Sequence, residues 1–394
     1  LNLTVRGCLV LSGAGCSEPQ GYGKTKAKGC TAIRAFCAEL SVSFWLGVYL
    51  PLLANGGHNP GTLPHPACPV MRLDLNTIQK PIASELREFE THFNGALQSR
   101  VMLLNTIMKY VIRRKGKQMR PMFVLLSANL CGGINPSTYR AAALIELLHT
   151  ATLIHDDVVD DADQRRGFFS LNALWKNKIA VLIGDFLLSR GLLMAVEAGD
   201  FEFLRITSKA VKLMSEGELL QIEKARALNI DEPVYLDIIR QKTASLIASC
   251  CESGASSATQ DAAQIEAMRH FGELVGMAFQ IKDDLFDYGY GAAGKPVGND
   301  IQEKKMTLPL IHALNQASWL DRRKMISIVR NHHREPRKVK WLVEAVKQAG
   351  GLEYSHARML EFSRQALEVL HRFPASDSRT SLEQLVTFTI ERDK

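Results

Sequence analysis

Five aspartates, Asp156, Asp157, Asp160, Asp161 and Asp163, fall within eight residues of the stretch HTATLIHDDVVDDADQRRG (His149–Gly167). A second stretch, FQIKDDLFDY, repeats the form with Asp283, Asp284 and Asp287. In each, the first and last aspartates of a DDxxD pattern stand four residues apart, one helical turn and one face. Like charges at that spacing destabilise a helix, and the residues around both stretches are apolar. Carboxylates facing one another in a low-dielectric interior require cations. Oxygen-only ligands select hard ions, Mg²⁺ before zinc or copper; Mg²⁺ takes one or two carboxylates and shares its other positions with water and substrate phosphates. A single DDxxD is more simply a solvated helix end. Two copies in apolar helices point to a metal site.

Cations surround these clusters. GKQMRP (Gly116–Pro121) sets Lys117 and Arg120 three apart. Arg165 and Arg166 follow the first cluster, and QKTASL places Lys242 beside Thr243. Lys295, Lys304 and Lys305 follow the second cluster in GKPVGNDIQEKKMTLPL (Gly294–Leu310). Guanidinium and ammonium groups pair with phosphate oxygens. Singly each reads as a solvated surface charge; together they match what two diphosphates and Mg²⁺ require.

The elements that carry these residues read as helices from Met71 onward. Ile82–Gln98 spaces its apolar positions by three and four. STYRAAALIELLHTATLIHDDVVDD opens with Ser137 as N-cap and is apolar almost all round, the mark of a buried helix. EPVYLDIIRQKTASLIASCCESGA has Pro233 in its first turn and ends at Gly254. Three further helical segments follow, and neither alternating strands nor hairpin turns are seen. Residues 71–394 are therefore expected to form one all-α domain, a large bundle of about ten or more helices.

The first 70 residues differ. They hold five of the eight cysteines, only Glu18 and Glu39 as acids, and no Met before Met71. Their longest apolar run, Leu40–Ala54, carries Pro51 and falls short of the roughly 18 residues of a membrane span. An organellar leader, a secretory signal and translated upstream sequence compete as origins, the last favoured, so residues 1–70 are left out of the fold. The three remaining cysteines make neither a disulfide framework nor a zinc pattern, which points to a reducing, cytoplasmic setting, or an organelle if the leader is real. Without the segment's five basic and two acidic residues, 43 basic residues stand against 39 acidic, a net charge of +4. No long basic block suggests nucleic acid, and the body shows no membrane anchor.

From Met71 to the C-terminus the chain resembles the all-trans isoprenyl diphosphate synthases of the long-chain polyprenyl type. The resemblance rests on GKQMRP, ELLHTATLIHDDVVDDADQRRG, IGDFLL (Ile183–Leu188), QKTASL, FQIKDDLFDY and GKPVGNDIQEKKMTLPLI, in that order. It implies helices around a deep central cavity, usually in a homodimer, and three Mg²⁺ ions with substrate bound. Asp156, Asp160 and Asp283 would be the leading ligands, supported by Asp157, Asp284 and Asp287. Arg165, Lys242, Thr243, Gln280 and Lys295 would hold the allylic diphosphate, farnesyl or geranylgeranyl. Lys117, Arg120, His149 and Arg166 would hold isopentenyl diphosphate, with Lys305 and Asp300 contributing from the loop after the second cluster. One departure is Lys304, where a glycine is common; it leaves open which of Lys304 and Lys305 reaches phosphate.

The expected chemistry is ionisation of the allylic C–O bond as Mg²⁺ neutralises the leaving diphosphate, then attack by the isopentenyl double bond and loss of a proton. No side chain in the motifs is an obvious base, which leaves the released diphosphate as acceptor. Apolar helix faces would keep water from the cation. Ala151 lies five residues before Asp156, about 7.5 Å lower along a helix. With Thr152 also small, and Leu148, Leu147 and Leu144 lining a deeper path, a product of roughly C30 to C50 is expected, as used in isoprenoid quinone side chains and suited to transient contact with a membrane surface on release. A short-chain farnesyl or geranylgeranyl synthase and a class I terpene cyclase are alternatives. A di-iron carboxylate bundle is a remote one, suggested by the pairs Glu146/His149 and Glu353/His356.

Overall fold

The computed structural model describes residues 74–113, 116–165, 168–228, 230–290 and 297–391, with the Arg165 side chain also undescribed. These residues belong to one structural unit, Met71–Lys394. The expectations for residues 1–70, and those for Arg166 and Lys295, fall outside the described residues.

The fold is all-α. Three short helices, α1 (Leu75–Gln79), α2 (Ala83–Ala96) and α3 (Met102–Arg113), lead into α4 (Met119–Cys131) and α5 (Pro136–Val159). The long α6 (Leu171–Glu197) and α7 (Phe201–Ala227) follow. After α8 (Glu232–Ile239), one wide turn with π-helical bonding, Arg240–Ala244, runs straight into α9 (Ser245–Ala258). Next come α10 (Ala262–Phe286), the single turn α11 (Asn299–Gln302), α12 (Leu308–Gln316) and α13 (Trp319–Asn331). The chain ends with α14 (Pro336–Gln348), α15 (Gly351–Leu370) and α16 (Asp377–Glu391). One exception to helix is a two-residue antiparallel pair, β1 (Gln164–Arg165) and β2 (Phe168–Phe169), directly after the first acidic cluster. It is too short to leave an alternating pattern in the sequence.

Helix α5 shows how local sequence sets the site. Its cap is Asn135, not Ser137: the Asn135 side chain accepts from the backbone N–H of Ser137 and Thr138, and Thr138 Oγ1 accepts from the Asn135 N–H at 3.2 Å. Pro136 takes the first helical position, where its missing N–H is no loss. The helix is buried along almost its whole length until its last turn, where Asp156 and Asp160 are exposed. That helix end holds no Lys or Arg. Carboxylates at a helix C-terminus oppose the helix dipole, a cost that a bound cation offsets. The last turn of α10 repeats this arrangement.

Helix α5 packs mainly on α6, and α9 packs against both α5 and α10, so the two acidic ends are braced by one central helix. A Cβ on Gly217 of α7 would lie 2.8 Å from Gln241 Cβ, and one on Gly276 of α10 would lie 2.4 Å from Ala244 Cα. Glycine on both sides lets α7 and α10 close on the π-turn that carries Lys242 and Thr243. Helix α9 continues to Ala258 rather than stopping at Gly254. A Cβ at Gly254 would lie 2.3 Å from Val124 O, so this glycine serves close packing on α4, not termination.

Helix α6 departs from expectation twice. It is long and apolar enough to cross a membrane by length and composition, with a third of its most apolar window buried. A core helix with an exposed apolar face meets the same test, so this does not make α6 a membrane anchor. Lys176 also breaks α6 at φ 72° and ψ 158°. That region belongs essentially to glycine and costs other residues about 1–3 kcal/mol, against about 0.5–1 kcal/mol for the extra freedom glycine brings to the unfolded chain. Lys176→Gly should therefore raise unfolding stability by about 1 kcal/mol, read as a higher denaturant midpoint; an unchanged or lower midpoint would show that the conformation is not strained.

Candidate active site

The cleft between α7, the π-turn, α10 and the segment after α11 is lined by Lys242, Thr243, Gln280, Asp284, Asp300 and Lys305. A chain of hydrogen bonds crosses it. Thr243 Oγ1 donates to Gln280 Oε1 at 2.7 Å, and Gln280 Nε2 donates to Asp284 Oδ1 at 2.8 Å. Tyr235 Oη donates to Asp284 Oδ2 at 2.7 Å. The Lys242 ammonium pairs with Glu218 and lies 3.4 Å from Gln221 Oε1, both on α7. Tyr235, Glu218 and Gln221 are positioning groups that the sequence reading missed, because they stand 21 to 49 residues from their partners.

Burial separates the six aspartates. Asp157 and Asp284 are buried, Asp283 and Asp287 half-buried, Asp156 and Asp160 exposed. The expectation of carboxylates facing one another in an apolar interior is thus corrected for Asp156 and Asp160, which solvent reaches at the end of α5, while Asp157 and Asp284 are buried. Among the described residues no three His, Cys, Asp or Glu groups converge tightly enough to hold a metal ion by themselves. Mg²⁺ fits this donor set nonetheless. The donors are all oxygen, they lie at helix ends with no Lys or Arg in the last helical turn, and this ion commonly completes its octahedron with water and phosphate rather than with a protein cage.

Burial, with the Asp300 carboxylate beside it, pushes Asp284 up to about 7 against the pull of the Tyr235 and Gln280 hydrogen bonds. Asp300 rises to about 6, mainly by burial and then by Asp287. Burial also raises Asp287, opposed by the backbone N–H groups of Asp300 and Asn299 that it accepts at 3.0 and 2.8 Å. Removing the Tyr235 hydroxyl should lift Asp284 further. Tyr235→Phe is expected to shift the titration of Asp284 upward in the metal-free protein, followed by carboxyl-carbon NMR; an unshifted titration would show that the hydroxyl does not stabilise the carboxylate.

Lys305 lines the cleft, with its Nζ 3.6 Å from Asp300 Oδ1 and 2.5 Å from Glu303 Oε2. Burial alone would lower the Lys305 pKa, but Glu303 and Asp300 more than offset it. Lys304 is absent from the cleft lining and holds φ 60°, a left-handed position suited to glycine. Of the two lysines left open by the sequence, Lys305 is the one at the cleft.

The other group of cations is arranged differently. Arg120 on α4 pairs bidentately with Glu146 on α5, Nε to Oε2 at 2.9 Å and Nη2 to Oε1 at 3.2 Å. Lys117 is exposed, with Nζ 5.1 Å from the Phe388 ring centre on α16. His149 is half-buried one turn after Glu146. Because Glu146 is engaged by Arg120 and Glu353 is exposed, the di-iron alternative loses two of its ligands. Ala151 and Leu148 are buried below the acidic end, and Thr152 Oγ1 donates to His149 O at 2.9 Å. Leu144 and Leu147 meet α6 at Gly191, where an added Cβ would lie 3.1 Å from Leu144 Cδ1 and 3.6 Å from Leu147 Cβ. These two deeper leucines are thus packed against α6 rather than lining an opening.

The sequence profile of the polyprenyl synthetase family matches residues 101–346. The chain belongs to that family. This membership makes it a prenyltransferase and bears out the resemblance to the all-trans polyprenyl diphosphate synthases. The chain is 36% identical over 321 residues to the all-trans-nonaprenyl-diphosphate synthase (geranyl-diphosphate specific) of Rhodobacter capsulatus, covering 80% of this chain and 97% of that one. A short chain isoprenyl diphosphate synthase of Methanothermobacter thermautotrophicus is also 36% identical, over 72% of this chain and 89% of its own. Among solved structures, a polyprenyl synthase of Caulobacter crescentus complexed with calcium and isoprenyl diphosphate superposes with a TM-score of 0.75 at 32% identity, covering 83% of this prenyltransferase and 100% of that chain.

Proposed function

We propose that this prenyltransferase condenses isopentenyl diphosphate head to tail onto farnesyl or geranylgeranyl diphosphate, with Mg²⁺, to give a polyprenyl diphosphate of about C30–C50. The observation that carries the reading is the cleft itself, which gathers Lys242, Thr243, Gln280, Asp284, Asp300 and Lys305 around one space. Asp156, Asp160 and Asp283 would hold the metal, with Asp157, Asp284 and Asp287 in support. Bound Mg²⁺ supplies charge neutralisation at the leaving diphosphate. Lys242 and Thr243, steadied by Glu218 and Gln280, bind and orient the allylic diphosphate. Lys117, Arg120 and His149 orient isopentenyl diphosphate, and the Glu146 fork fixes the Arg120 guanidinium in advance. Apolar residues under the acidic ends exclude water from the cation. Product length is assigned to Ala151, the small residue about 7.5 Å below Asp156 along α5. Identity to relatives does not decide it, since a nonaprenyl and a short-chain synthase are equally similar.

The reading is tested by incubating the full chain, and residues 71–394 alone, with farnesyl diphosphate, labelled isopentenyl diphosphate and Mg²⁺. Label in an acid-labile prenyl diphosphate from both proteins supports it. An unlabelled cyclic hydrocarbon would indicate a class I cyclase instead, and loss of activity on truncation would show that residues 1–70 belong to the catalytic unit.

A homodimer is also proposed. Leu182, Leu193 and Val196 on α6 and Leu219 on α7 are exposed side chains, an apolar face that a second copy would cover. Light scattering should give twice the chain mass; a monomeric mass would contradict it.

A further inference from the structure

Helices α13 and α14 carry most of the protein's net charge. Between Trp319 and Trp341 the sequence holds eight Lys or Arg and two acids, Asp321 and Glu335, an excess of six in 23 residues. Residues 71–394 as a whole carry a net charge of only +4, so the remainder of the body is slightly acidic. Arg323, Lys324, Arg330, Arg334, Arg337 and Lys340 are exposed, and no carboxylate among the described residues pairs with them. The two acids are occupied locally: Asp321 accepts from Ser318 Oγ at 2.7 Å, and Glu335 is shared by His332 and Lys338 at 2.6 and 3.0 Å.

Apolar side chains stand among these cations. Trp319 and Leu320, in the first turn of α13, are 69% and 70% exposed. The Arg323 guanidinium lies 5.5 Å from the Trp319 ring centre, and Lys324 Nζ lies 3.5 Å from that of Trp341. An open groove between the helices is lined by Leu320, Arg323, Lys324, Arg337 and Trp341. The inner face of α13 is already used, because Met325, Ile328 and Val329 are buried in the same apolar cluster as Tyr288, Met306 and Leu308 beside the active-site cleft. Only the first turn and the basic face are left to meet a partner. The cationic residues with their long stems, beside an exposed Trp–Leu pair, have the pattern of a surface that lies at a membrane interface.

We infer that the α13–α14 face docks the enzyme on an anionic lipid bilayer, with Trp319 and Leu320 entering the headgroup boundary and Arg323, Lys324 and Arg337 pairing with lipid phosphates. A second copy of the chain fits poorly, since it would bring two surfaces of like charge together. Nucleic acid would use the cations but has no role for an exposed leucine at the helix start. The benefit of docking, delivery of an apolar product to the bilayer, rests on the long-chain reading; docking itself does not and is measured without substrate.

The test is sedimentation of the full chain with vesicles of phosphatidylcholine alone or mixed equally with phosphatidylglycerol. Binding is expected to the mixed vesicles, to weaken with salt, and to be small on the neutral ones. Arg323→Gln with Arg337→Gln should reduce binding about thirtyfold, from about 1 kcal/mol per basic residue near such a surface. Trp319→Ser should weaken binding while keeping its salt dependence. Prenyl transfer and helix content, unchanged in each variant, show that the fold is intact. Equal binding to both vesicle types, no binding to the anionic ones, or wild-type binding by the double variant would overturn the inference. So would tighter binding to duplex DNA than to vesicles at equal salt, unaffected by Trp319→Ser.

Discussion

Asp156→Ala and Asp283→Ala should each lower turnover by about 10³-fold or more, the scale of losing a principal electrostatic stabiliser of a developing charge. The structure adds a second readout. Asp156 lies exposed in the last turn of α5. Alanine at this exposed position is compatible with the helix, so the variant without ligands should still fold. Wild type should gain stability when Mg²⁺ and inorganic diphosphate are added together, by linkage, and Asp156→Ala should gain far less. Thermal unfolding with and without those ligands, alongside steady-state rates, checks both. Activity within about tenfold of wild type, or an equal gain from the ligands, would remove Asp156 from the metal site.

Ala151→Phe should cut the product from the C30–C50 range to about C15–C20 while sparing the first condensations, because an aromatic ring fills space about 7.5 Å below Asp156. Ala151 is 2% exposed and belongs to the main apolar cluster, beside Ile154 and Leu147. Overpacking such a site costs typically 1–3 kcal/mol, which a protein with ordinary stability survives. Ala151→Ser, nearly the same size, should leave product length alone and separates a steric floor from general damage. Chromatography of the dephosphorylated products reads the outcome. Unchanged length in Ala151→Phe would place the growing chain elsewhere than below Asp156.

What the sequence revealed follows from the range of each interaction. Both aspartate clusters were legible because one helical turn separates their members, and the helices of the body because apolar spacing is local. Asn135 could have been read as the cap of α5 in place of Ser137, since Pro136 is pre-set for the first helical position. The unusual Lys304 was visible as a departure from glycine, and its φ of 60° gives that departure a physical cause. Lys176 gave no such sign. The π-turn at Arg240–Ala244 inserts a residue into the helical count, and polar Arg240, Gln241 and Lys242 carry no apolar phase to reveal the slip. Tyr235 with Asp284, and Arg120 with Glu146, join residues 49 and 26 apart, on different helices. Such partners belong to packing, which spacing does not report. The exposure of Asp156 and Asp160 was misjudged because an apolar sequence around a helix end does not say whether that end stays inside the bundle.

The most direct test of the account is the size of the wild-type product. With farnesyl diphosphate, an excess of labelled isopentenyl diphosphate and Mg²⁺, reversed-phase separation of the dephosphorylated alcohols should show a principal product between about C30 and C50. A principal product at C15 or C20, with no longer alcohol even at prolonged incubation, would contradict it.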